Sequence, residues 1–113
     1  MKPSRALSRV ARTKGRDIAF CHDFDHWACG LPAFIHIKAS GFRFRYAGEN
    51  LFAAERPIGT ARDAFVAWLQ SPTHRRLLFV RRFSDAGIAL LRVDRLAETP
   101  NVQLWVLELA QRA

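Results

Sequence analysis

The stretch Tyr46–Ala53, YAGENLFA, places an acid, Glu49, inside an otherwise apolar run, between Gly48 and Asn50. Just before it, from Phe42, apolar and basic residues alternate as FRFR, the two-residue period of a half-buried strand. A glutamate buried on such a strand is costly unless it is paired, hydrogen-bonded or metal-bound. Its partners must come from elsewhere in the chain, and four histidines are candidates: His22, His26, His36 and His74.

The segments around that strand alternate in character. From Ser4 to Phe20, Leu7, Val10, Ala11, Ile18 and Ala19 recur at helical spacing, with Gly15 interrupting the middle. Asp23–Gly30 reads as an irregular loop, and Leu31–Ser40 as a short helix stopped by Gly41. Thr60 is placed to cap ARDAFVAWLQ, whose Ala64, Phe65, Ala67, Trp68 and Leu69 form its apolar side, and Ser71-Pro72 ends it. A second short helix follows around His74. DAGIALLRV and NVQLWVLELA, separated by the turn-prone DRLAETPN, then read as an antiparallel hairpin in the core. Helices flanking a small antiparallel sheet make an α+β domain.

The length of 113 residues fits one domain with a modest core. No apolar run approaches the roughly 18 residues of a membrane span, so a soluble domain is expected. The formal net charge of +8 comes from 18 basic residues, mostly arginine, against 10 acids. Such a balance attracts nucleic acid, anionic lipid or acidic polymers. The basic residues are nonetheless spread along the chain, with only the pairs Arg75-Arg76 and Arg81-Arg82, and no basic-aromatic RNA-binding signature is present; specific nucleic-acid binding is not expected.

Two cysteines, Cys21 and Cys29, bracket CHDFDHWACG. Zinc and a disulfide compete for them. A single C-x7-C fits structural zinc poorly, whereas a disulfide closing so short a loop is worth about 2 to 3 kcal/mol and points to an oxidising compartment. The N-terminal MKPSRALSRVARTKGRD carries no apolar stretch of the signal-peptide kind, which leaves free thiols in a reducing compartment, or a fragment of a longer chain, as the alternatives.

Among the histidines, His36 lies in a helix beside apolar neighbours. His74 follows a helix stop and His26 lies on the cysteine-bracketed loop. His26, His74 and Glu49, drawn from three segments, are a donor set that can hold Zn²⁺ with an open position or polarise a bound ligand.

Taken together, AGENLFA, AFVAWLQSPTHRRLL and RFSDAGIALL resemble the bacterial CAP superfamily, also called SCP, the fold of cysteine-rich secretory and pathogenesis-related proteins. The matching motifs come in the family's order: Phe24 with His26, Gly48–Asn50, Trp68 through Arg75, Phe83 with Gly87, and Gln103 with Trp105. The resemblance covers about the last ninety residues. It implies a three-layer α-β-α sandwich with a central cleft lined by two histidines and acids, of which His26, Glu49 and His74 match three; His22 is the alternative to His26. A fourth position, a glutamate three residues after the helix tryptophan, is Ser71 here. That departure weakens metal binding and two-acid catalysis. FDHWACG also resembles relatives in which a disulfide brackets the histidine, which implies a Cys21–Cys29 pair. Relatives have more residues before the first helix, and a secretion signal before those, so residues 1–113 are expected to be a single domain lacking part of that helix and the signal.

The resemblance implies a secreted or surface-associated domain that binds a lipid, wall fragment or peptide in a cleft of His26, Glu49, His74 and Asn50, with Zn²⁺ or Mg²⁺ as an optional metal. The alternatives are a metal-assisted hydrolase with Glu49 as general base, and a basic nucleic-acid-binding module.

Overall fold

The computed structural model describes all residues, Met1–Ala113. Nine segments follow in order: β1 (Lys2–Pro3), α1 (Arg5–Cys21), a 3-10 turn (Ala28–Gly30), α2 (Ile35–Ala39), β2 (Phe44–Glu55), α3 (Ala61–Gln70), α4 (Pro72–Leu78), β3 (Asp85–Leu96) and β4 (Thr99–Arg112). The strands form one sheet in the order β1-β3-β4-β2, antiparallel except where β1 runs parallel to β3 at the edge. The expected small antiparallel sheet is therefore a mixed four-stranded one. A two-residue strand such as β1 has no pattern of its own and exists only through its register with Asp85 and Ala86.

Helix α1 starts where Ser4 accepts a hydrogen bond from the Leu7 amide, satisfying a donor that the first turn would leave free. It ends at His22, whose left-handed backbone closes the last turn. Thr60 caps α3 in a reciprocal box with Asp63. Helix α2 is shorter than expected: Pro32 lies in the turn before it, and the helix begins only at Ile35. The β3–β4 connection is also tighter. Leu96 pairs with Thr99, leaving Ala97 and Glu98 as the turn, with Ala97 at φ 52°. Polar Asp94 and Arg95 suggested loop, but they extend β3 with their side chains in solvent.

Pleat alternation along β4 divides the core. Val102, Leu104 and Val106 join Ala11 and Ile18 of α1, while Ala110 packs with Leu7, Val10 and Ile37 of α2. Leu107 and Leu109 instead pack on the opposite face with Ala64 and Trp68 of α3, and with Phe83. The result is the expected α-β-α layering.

Helix α1 lies close to the sheet because two glycines permit it. A Cβ on Gly87 would collide with the backbone of Leu7 and Ser8, and one on Gly15 with the Leu91 side chain. Gly15, an interruption by helix propensity, is thus a packing requirement. The Gly87 contact is backbone against backbone and cannot be relieved by a rotamer change. Gly87→Ala is therefore expected to cost about 3 kcal/mol in urea-unfolding free energy, since overpacking commonly costs 1 to 3.

Candidate functional site

Glu49 sits in the middle of β2 on the face covered by α1, directly opposite Glu108 of β4. Both are buried, at 4% and 1% exposure. The cation between the layers is Lys14 of α1, itself 3% exposed, with Nζ 3.6 Å from Glu49 Oε1. Lys14 also donates to the carbonyls of His26 and of Ala33, the latter at 3.4 Å. His26 Nδ1 donates to Glu49 Oε1 at 2.7 Å, its ring half in solvent. One buried ion pair thus ties α1, the 23–33 loop and β2 together.

Two members titrate away from their ordinary values. The hydrogen bond to Glu49 raises His26 above 6.5, with partial burial acting against it. Burial first, and the Glu49 carboxyl second, push Glu108 well above 4.5. Oε2 of each glutamate is buried without a hydrogen-bond partner. A proton kept on Glu108 allows the pair a donor and an acceptor, which two carboxylates could not supply.

His74 is not brought to Glu49. Its Nδ1 bonds to Ser71 Oγ at 2.8 Å, and its carbonyl accepts from Asn50 Nδ2 at 3.1 Å. The physical reason is strand alternation: Glu49 faces α1, so Asn50 and Gly48 face the other way, toward α4. A Cβ on Gly48 would stand 2.9 Å from Phe83 and 3.0 Å from Leu77, so the absence of a side chain lets α4 approach. The other candidates are engaged elsewhere. His36 pairs with Asp17 at 2.6 Å, and His22 accepts from the Ala97 amide at 3.1 Å. Cys21 and Cys29 form a disulfide with Cα atoms 5.6 Å apart.

The donor set does not fit Zn²⁺ or Mg²⁺. No group of three His, Cys, Asp or Glu side chains is arranged to hold a metal. Glu49 already has the Lys14 ammonium beside it, where a second cation would be repelled. Nor is Glu49 placed as a general base: its side chain is 1% exposed and its Oε1 is taken by His26. Lys14 and Glu108 were not singled out from the sequence. Their signal was nevertheless present, because Lys14 falls on the apolar stripe of Leu7, Val10, Ala11 and Ile18, and Glu108 interrupts the apolar run VLELA just as Glu49 interrupts its own.

No protein-family model and no curated protein matches the chain. The fold is like that of an SCP domain. Two solved structures carry the likeness, each at 18% identity. An outer surface protein of Borrelia burgdorferi aligns with a TM-score of 0.80 over 100% of this chain and 78% of its own. An extracellular protein of Bacillus anthracis containing an SCP domain aligns with a TM-score of 0.81 over 99% of this chain, which spans 34% of that protein.

The network yields two predictions. In Glu49→Gln, Lys14 is left buried without its counter-charge, and unfolding free energy at pH 7 is expected to fall by about 3 to 5 kcal/mol. The second concerns pH. His26 binds its proton more tightly folded than unfolded, so its contribution is full below 6.5 and is lost as pH rises through the raised value. Glu108 acts in the same direction from 4.5 upward. Asp85, lowered by Arg112, and Asp63, lowered by the Gly59 and Thr60 amides, oppose them only as pH falls below about 3.8. Denaturant titrations are therefore expected to give higher stability at pH 5 than at pH 8. Glu108→Gln, which fixes the neutral state, should flatten that decline and be the more stable protein at pH 8.

Proposed function

We propose that this chain is an extracellular or surface-associated binding domain whose ligand is held in a groove beside the His26–Glu49 contact rather than on it. The compartment is supported by the Cys21–Cys29 disulfide and by the extracellular and outer-surface descriptions of the two structural neighbours. No helix is long and apolar enough to cross a membrane.

The observation that carries the proposal is a groove of about 610 Å³ between α2 and the start of β2. Trp27, Phe34, Phe44 and Tyr46 supply its apolar surface, and Lys38 and Arg45 its charge. Apolar walls with a few convergent polar groups are the usual composition of a small-molecule site. Here both charged groups are cations, which suits a lipid, wall fragment or peptide that combines an apolar body with an acidic group.

The buried network has a definite part in this reading. Trp27 belongs to the loop that Lys14 and Glu49 hold through His26, and its own amide donates to Asp25 Oδ1 at 2.7 Å. The ion pair fixes the loop, and the loop presents the 58%-exposed indole as one wall. His26 and Glu49 act as positioning residues for the groove. Asn50, on the opposite face, holds α4.

Calorimetric titration with dodecanoate and with a muramyl dipeptide tests the proposal. Saturable binding of at least one probe is expected, weakened about tenfold by Trp27→Ala and by Arg45→Glu, each change removing one well-formed contact. Both substitutions are on the surface and should leave the melting temperature nearly unchanged. Absence of saturable binding for both probes, or affinity indifferent to both substitutions, would overturn the groove as the site.

A further inference from the structure

Helix α3 buries Ala64 and Trp68 against the sheet, yet its outer side is also apolar. Phe65, Val66 and Leu69 are about 40% exposed there, and Phe79, just past α4, is 65% exposed. Leu69 and Phe79 share a shallow recess with Arg75 and Arg76, and the Arg75 guanidinium lies 5.8 Å from the centre of the Phe79 ring. Arg62 projects from the same exposed side of α3. The charge of this region is one-sided: from Arg56 to Ser84 there are six arginines and a single acid, Asp63. Asp63 is turned back onto the Gly59 and Thr60 amides at the α3 cap.

We infer that the outer face of α3 and α4 is a docking surface for an anionic lipid bilayer, in which Val66, Leu69 and Phe79 enter the interface while Arg62, Arg75 and Arg76 bind headgroup phosphates. The pairing of exposed apolar side chains with flanking cations is what interfacial membrane binding requires. Each basic residue near an anionic surface adds attraction, and the apolar side chains add the burial that electrostatics alone lacks. A second copy of the chain fits the face less well, because a symmetric contact would bring its arginines together with only Asp63 to offset them. Nucleic acid would engage the arginines but give Val66 and Leu69 nothing to bury against. This face is built from α3 and α4, on the side of the sheet away from α1, and does not depend on the groove.

Co-sedimentation with vesicles of equal parts phosphatidylcholine and phosphatidylglycerol, set against pure phosphatidylcholine, tests the inference. Binding to the anionic vesicles alone is expected, falling as salt is raised. Phe79→Asp, Val66→Asp and the double change Arg75→Glu/Arg76→Glu should each weaken it about tenfold or more, with circular dichroism verifying that the variants fold. Trp27→Ala should bind the vesicles like the parent, which separates failure of this surface from failure of the groove. The inference is overturned by no binding to anionic vesicles. It is equally overturned if Phe79→Asp and Val66→Asp bind as the parent does while a DNA 20-mer competes the protein off, since the face is then only a polyelectrolyte site. A concentration-dependent dimer abolished by Phe79→Asp, without vesicle binding, would assign the face to a second copy.

Discussion

The ion pair between Lys14 and Glu49 is the constraint on which the architecture turns. Neither charge could be carried alone into the space between helix and sheet, where an unpaired ion costs several kcal/mol. Together they hold α1, which packs over β3 and β4, at the one rotation and height that point Lys14 toward β2. The glycines serve the same approach: Gly87 admits the backbone of Leu7 and Ser8, and Gly15 admits Leu91. Lys14 then reaches past the pair to the carbonyls of His26 and Ala33. A loop without regular structure is thereby fastened at two points, with the Cys21–Cys29 bridge as a third.

Three consecutive residues connect the sheet to everything around it. Gly48 has no side chain and lets Leu77 and Phe83 press against the strand. Glu49 points the other way, to Lys14 and His26. Asn50 turns back and holds the His74 carbonyl. A motif that reads as one functional unit along the chain is divided by the pleat between two faces, and His26 and His74 are divided with it. The donors that would make a metal centre are present in the sequence, but they do not converge. Glu108, facing Glu49, completes a carboxyl pair in which burial and the neighbouring carboxyl both push Glu108 well above its ordinary value.

Two surfaces combine exposed aromatic or apolar side chains with cations. Around the fastened loop, aromatic walls and two cations make a concave surface suited to a small anionic molecule. Across α3 and α4, arginines and exposed apolar side chains share a shallow, more open surface. The net charge of +8 does not distinguish these surfaces when the chain is read linearly. Folding does so, by placing Arg75 and Arg76 beside Leu69 and Phe79.

Much of the architecture is legible in the sequence because its causes are local. The spacing of Leu7, Val10, Ala11 and Ile18 specifies the buried side of α1, Ser4 and Thr60 supply caps, and alternation marks the long strands; these follow from the 3.6- and 2-residue periods. The α-β-α order and the cysteine pair were legible through motifs that resemble those of SCP domains. The length of α2, the short turn at Ala97-Glu98 and strand β1 were not, since each is settled by pairing with residues distant in the chain. The carboxyl pair escaped for the same reason: Glu49 and Glu108 are nearly sixty positions apart and meet only through the β2–β4 register. The sequence by itself determined that a buried acid at position 49 needs partners. Only the tertiary structure decided that the His26 imidazole, at 2.7 Å, is joined there by the ammonium of Lys14 and the carboxyl of Glu108 and not by His74, because register and helix rotation, not spacing along the chain, set which charges share the interior.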